Sequence, residues 1–163
     1  VRAALAAGAV VTAGTAMAAW ADDPAPAPAP HPVRLVDAMS PPALYRLRCS
    51  GCHGLEGQGA PSAGIPPFPG SIGAIASDDG GRAYIMHVPG VVGAGLSNAQ
   101  LAAVMNYVLD QWSADAARPV ARFTPDEVTR LRAVPVGDVV TYRRDLSVRL
   151  AKTGVVIAEY PWP

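Results

Sequence analysis

Aromatic residues make up only 6% of this 163-residue chain, cysteine occurs twice, and the formal charge sums to zero. So thin a supply of rings leaves little bulky apolar volume, although half the residues are apolar. A large buried cofactor would make up the difference. Cys49 and Cys52 have no second cysteine pair with which to complete a zinc site, and no strand–helix pattern of the thioredoxin kind precedes them. The zero charge hides an uneven spread. Residues 22–117 carry four arginines against eight Asp and Glu, whereas residues 118–163 carry eight Arg and Lys against five Asp and Glu. An acidic middle argues against nucleic acid as a partner, and the asymmetry could orient a protein partner instead. No internal repeat and no nucleophile–base set is readable, so an enzyme in its own right is not expected. Proline and glycine are abundant, 17 and 16, which points to a loop-rich fold around a small helical core.

Residues 1–21 read as a signal peptide: Arg2 is a minimal positive start, residues 3–19 are uncharged and rich in Ala, Val, Gly and Thr, and Ala19-Trp20-Ala21 fits the small-x-small rule for cleavage after Ala21. An uncleaved anchor helix is the alternative, although the stretch is short and alanine-rich for a membrane span. A periplasmic location is expected, with no stable span in the mature chain. Export would put the two thiols in an oxidising compartment, where thiols are usually paired. Residues 22–33 hold a Pro-Ala repeat, whose composition favours a stiff polyproline spacer.

Four helix starts are legible. Ser40 with Pro41 opens a first helix that runs into Cys49. Ser97 with Gln100 forms a capping box ahead of Leu101, Val104, Met105, Val108 and Trp112, one apolar face at helical spacing. Thr124 with Pro125 and Glu127 opens a third, and Asp138 a fourth that Gly154 would end. Residues 54–73 read as mostly loop, with a short helix over residues 81–87.

The chemistry lies in Cys49-Ser50-Gly51-Cys52-His53. Two thiols three residues apart can each add to a vinyl group on one porphyrin edge, and the adjacent histidine can then reach the iron from that face. The motif reads as attachment of one haem c through Cys49 and Cys52, with His53 as axial ligand.

Over residues 37–112 the sequence resembles the class I cytochrome c family. A short helix ends in the Cys-x-x-Cys-His motif, followed by Gly54, Gly57 and Gly59. Pro66-Pro67-Phe68-Pro69-Gly70 is similar to the family's Pro-x-Leu-x-Gly loop, and Leu96-Ser97-Asn98-Ala99-Gln100 opens a C-terminal helix carrying Tyr107. The resemblance implies an all-α, cytochrome c-like haem domain over residues 34–114, with long Gly/Pro loops and a helical C-terminal extension over residues 115–163. It implies that the Pro66 carbonyl accepts a hydrogen bond from the second ring nitrogen of His53, that Phe68 packs on the haem, and that Tyr107 packs where the first and last helices cross. Pro66 as a loop former, and the two aromatics as ordinary core, remain open.

The second axial ligand has more than one candidate. The family's methionine belongs in the loop before the C-terminal helix, but residues 88–95 contain none. Met86 is the nearest candidate, His87 beside it is the alternative, and an open site is the third possibility. Met39 fits poorly, and Met105 sits on a helix where methionine more often packs than ligates. The expected function is periplasmic electron transfer, with a periplasmic dehydrogenase as donor and another cytochrome or an oxidase as acceptor. The alternatives are a five-coordinate haem protein binding a small gas or peroxide, and a haem subunit of a larger oxidoreductase. The arginines of the tail read as solvated faces of helices that wrap the haem domain, or else as a docking surface.

Overall fold

The computed structural model describes residues 35–160. The expected leader, over residues 1–21, and the Pro-Ala linker lie outside the described residues. A 3-10 turn over Leu35–Ala38 precedes eight α-helices, and among the described residues no strand forms. The architecture is all-α and cytochrome c-like, as expected.

Helix α1 (Pro41–Arg48) begins where expected, with Ser40 in an extended conformation before a proline at the first helical position. Ser40 places its backbone for the cap without lending its hydroxyl to it. Leu44 and Tyr45 face inward. The chain breaks at Cys49 and resumes as α2 (Ser50–His53), which Gly54 ends at φ +74. Tyr45 Oη donates to the Gly54 carbonyl at 2.6 Å, tying the first helix to the far end of the Cys–His segment. Burial, aided by the nearby Cys49 thiol, pushes the Tyr45 phenol up to about 12, so this donor keeps its proton across the physiological range.

Two short helices add to the elements expected from the sequence. Helix α3 (Ile72–Ala76) buries Ile72 and Ile75, and α5 (Pro89–Val92) starts at a proline that fixes its first turn. Helix α4 (Asp79–His87) is capped by Asp78, whose carboxylate accepts from Gly81 N–H at 2.8 Å. A side chain at Gly81 would sit 2.0 Å from the Ile75 carbonyl oxygen, so glycine is what lets α3 and α4 meet.

Helices α6 (Asn98–Trp112), α7 (Pro125–Arg132) and α8 (Val139–Lys152) carry the three caps read from sequence. Ser97 and Gln100 form both halves of a capping box, Thr124 accepts from Glu127 N–H, and Asp138 accepts from Thr141 N–H. Helix α1 crosses α6, where the Tyr45 and Tyr107 rings lie 5.6 Å apart. Val104 and Val108 of α6, Val128 of α7 and Leu146 of α8 are all fully buried in the same apolar cluster. The tail therefore shares the core of the preceding helices.

The charge asymmetry is partly consumed inside the molecule. Arg122 pairs with Asp110 and Arg149 with Asp78, joining basic tail to acidic middle. The buried member of the set is Arg82 of α4, whose guanidinium grips both carboxylate oxygens of Glu127 at 2.7 Å, donates to the Ala76 and Ala121 carbonyls, and lies 3.8 Å over the Phe123 ring. The Arg82 hydrogen bond holds the Glu127 carboxyl below its ordinary value of 4.5. A depressed folded-state value means that this stabilisation is present above the unfolded value and is lost as pH falls through the folded one. Arg82→Gln leaves two carbonyls and a carboxylate short of their donor. It is expected to cost about 3–5 kcal/mol of stability in denaturant unfolding of the intact protein at neutral pH, and less than that below pH 4.

Candidate cofactor site

The Cys–His segment projects into a cavity of about 320 Å³ whose walls are mostly apolar, a volume at the lower end of ordinary ligand pockets. Cys49, Cys52 and His53 line it together with Pro66 and Phe68. The five residues singled out as cofactor-binding in the sequence are therefore gathered in one place by α1, α2 and the proline-rich loop. Further walls come from Ile72 and Ile75 of α3, Val104 and Val108 of α6, and Val139 and Val140 of α8.

His53 is held by its neighbours. Its ring stacks on Phe68 at 4.1 Å and an interplanar angle of 16°, and Phe68 packs in turn on Tyr45 and Trp112. Burial holds the imidazole below its usual value, and the Pro66 carbonyl pulls it partway back. The neutral ring is the form that offers a lone pair to a metal. Nδ1 is buried without a hydrogen-bond partner, so the Pro66 oxygen faces the ring without a bond of good geometry on that nitrogen. Gly59 makes the approach of this loop possible: at φ +67, any side chain there would come within 2.7 Å of the Pro66 oxygen.

The two thiols differ. Cys52 is exposed, and Cys49 is half-buried. Burial, with a smaller contribution from Cys52, pushes the Cys49 thiol up to about 11. A dithiol redox motif needs the opposite, a thiol lowered toward neutrality. Among the described residues no three His, Cys, Asp or Glu side chains come together in a way that could hold a metal ion. The pair suits neither a thioredoxin-like couple nor half of a zinc cluster.

Neither candidate for the second axial ligand lines the cavity. Met86 is 1% exposed and packs in the core of α4. His87 turns its Nδ1 to the Ala83 carbonyl at 2.8 Å. The physical reason is helical phase: Tyr84, Ile85 and Val88 face the cavity, which turns residues 86 and 87 away from it. The expected ligand loop contributes Val88, Pro89, Gly90, Val91 and Ala94, none with a donor side chain. The methionine that does line the cavity is Met105 of α6.

Five polar residues on the wall are not singled out by the sequence: Arg48, Ser71, Tyr84, Arg143 and Tyr160. Sequence alone places Arg143 with the solvated arginines of the tail. Its position three residues before Leu146 and seven before Leu150, both buried, puts it on the apolar stripe of α8 and was the available signal.

Two curated proteins from Thermus thermophilus, both named cytochrome c-552, are similar to this chain. One is 33% identical over 115 residues, with 59% of this chain covering 77% of the relative. The other is 33% identical over 110 residues, with 56% of this chain covering 83% of it. No protein-family model matches the chain, and no solved structure does.

Proposed function

The chain belongs to the c-type cytochromes, and we propose that it is a single-haem, exported electron carrier of the class I kind. Haem-based electron transfer follows from the family. The supporting observation for the finer reading is the meeting of two thiols and a buried, neutral imidazole at the mouth of an apolar cavity. The chain has two cysteines, enough for one covalent haem. Cys49 and Cys52 would hold it through thioether bonds, and His53 would supply an iron ligand. The iron supplies one-electron exchange between ferric and ferrous states.

The protein's own part is to hold this ligand set still and dry. Phe68 fixes the plane of the His53 ring, Gly59 lets the Pro66 carbonyl approach it, and the Tyr45–Gly54 hydrogen bond anchors the end of the motif. Rigid positioning of the ligand lets the electron come and go with little rearrangement. The walls from α3, α6 and α8 exclude water. Among the described residues no helix is long and apolar enough to cross a membrane. The leader directs export to the periplasm and is cleaved after Ala21. There a dehydrogenase is the donor, and another cytochrome or an oxidase is the acceptor, meeting the haem edge through a small transient interface.

The test is an optical redox titration of the purified holoprotein, together with its haem content. One covalent haem per chain, titrating reversibly as a one-electron couple and reduced by a periplasmic dehydrogenase turning over its substrate, is expected. A haem that no such donor reduces would sink the carrier role. A second reading concerns the same site. The apolar wall from residues 88–94, with Met86 and His87 turned away, favours an iron whose second axial position is open to a small added ligand.

A further inference from the structure

The chain has three tryptophans, five tyrosines and two phenylalanines, and four of these rings stand together behind His53. Phe68 lies flat on the His53 imidazole, with ring centres 4.1 Å apart. Trp112, at the end of α6, lies 5.4 Å from Phe68 and 5.2 Å from Tyr45. Tyr107 follows at 6.2 Å from Trp112. Gly57 makes room for the indole: at φ +68, a side chain there would come 2.7 Å from the Trp112 ring. The Gly57 carbonyl also accepts from Phe68 N–H at 2.8 Å, so one glycine holds the middle ring and admits the outer one.

These rings differ in what they can give up. A benzene ring is hard to oxidise, so Phe68 is a bridge and not a donor. Tyr45 is 1% exposed, and its hydroxyl donates to the Gly54 carbonyl. A phenol that loses an electron must also lose its proton, and an amide carbonyl is too weak a base to take it. Trp112 is half-buried, so its indole proton can pass to water. Charge separates this group from the other aromatic rings. Arg82 lies over Phe123, Arg143 over Tyr84 and Tyr160, and Arg149 over Tyr142. A cation against a ring stabilises the ring's electrons and opposes their removal. Among the described residues no guanidinium lies over Phe68, Tyr45, Tyr107 or Trp112.

We propose that Trp112 is an internal electron donor, passing an electron through Phe68 and His53 when hydrogen peroxide reacts at the open axial position. The inference rests on the second reading of the site, haem c at Cys49, Cys52 and His53 with that position open. Reducing peroxide to two waters breaks the O–O bond and takes two electrons and two protons. One electron comes from the ferrous iron, which becomes ferric. Trp112 gives the other and releases its indole proton, so one further proton is drawn from water. The oxidising equivalent ends on a ring that water reaches and not on the porphyrin.

The experiment uses the reduced holoprotein, one sample with carbon monoxide and another with equimolar hydrogen peroxide, freeze-quenched for electron paramagnetic resonance. Carbon monoxide is expected to shift the Soret band. Peroxide is expected to give an organic radical whose lines narrow when the tryptophans carry deuterated indole and not when the tyrosines are ring-deuterated. Trp112→Phe keeps a ring in the stack and should lose that signal. Its Soret band should also bleach faster under repeated peroxide additions, because the porphyrin then becomes the donor. No shift with carbon monoxide removes the open position and the proposal with it. A shift followed by no radical, or by one that survives Trp112→Phe, overturns the proposal and leaves the open position standing. Should Trp112→Phe fail to retain haem, the double variant Trp20→Phe and Trp162→Phe gives the answer, since Trp112 is then the sole tryptophan. Its radical should still narrow with deuterated indole; one that narrows with deuterated tyrosine instead overturns the assignment.

Discussion

Replacing both Cys49 and Cys52 by alanine is expected to abolish covalent haem and, with it, most of the cooperative fold. The cavity those residues border is about 320 Å³ and mostly apolar. At the mutational rate of roughly 24 cal/mol per Å³, an unfilled space of that size costs about 8 kcal/mol. Native stabilities run from about 5 to 15 kcal/mol in total. Partial collapse of the walls lowers the figure, but what remains is comparable to the whole stability of a chain this size. The double variant should therefore show no haem stain after denaturing electrophoresis. Its secondary structure should melt at low temperature or without a sharp midpoint. A well-folded, haem-free variant with a sharp transition would mean that side chains fill the cavity, and would remove the case for the cofactor as part of the core.

The second large effect is expected in the visible spectrum. Adding carbon monoxide to the reduced holoprotein should shift the Soret band clearly, because the wall formed by Val88, Pro89, Gly90, Val91 and Ala94 brings no donor to the iron. Met86→Leu should leave the spectrum untouched before and after carbon monoxide, since that side chain packs in the core and off the cavity. An unchanged band on carbon monoxide addition would mean that a side chain closes the second axial position. Met105→Leu should then open it if the cavity-lining methionine is that group, and Met86→Leu should open it if the chain rearranges around the haem. Electron exchange is compatible with either result; ligand binding requires the first.

What was legible in the sequence was written in local chemistry. A cap is a local contact, so Ser97 with Gln100, Thr124 with Glu127, and Asp138 as the start of the last helix could be read without knowing the fold. The Cys–His motif is local in the same way. Helices α3 and α5 could not be read, because five residues Ile72–Ala76 and four residues Pro89–Val92 are too short to carry a period of their own and are held by what they pack on. The side of α4 that faces the cavity could not be read for a related reason. Proximity in sequence favoured Met86, but the phase of α4 decides which side faces the cavity, and that phase is set by Gly81 against the Ile75 carbonyl and by Arg82 against Glu127. Arg143 was hidden by its company: six other arginines in residues 118–149 suggested solvent, and tertiary packing made an exception of one.

The path of the chain carries a consequence for how the site comes into being. Ala158 N–H donates to Ser71 Oγ across 87 residues of sequence, and the same return brings Val139, Val140 and Arg143 against the cavity. The thiols and His53 are set by contacts between near neighbours in α1 and α2, whereas this wall waits on the closure of a long loop, which is entropically later. Until that segment returns, the pocket is a trough with one side missing. A chain emerging in order presents its attachment residues through an open flank, and the last helix shuts the flank afterwards like a door hung on the far post.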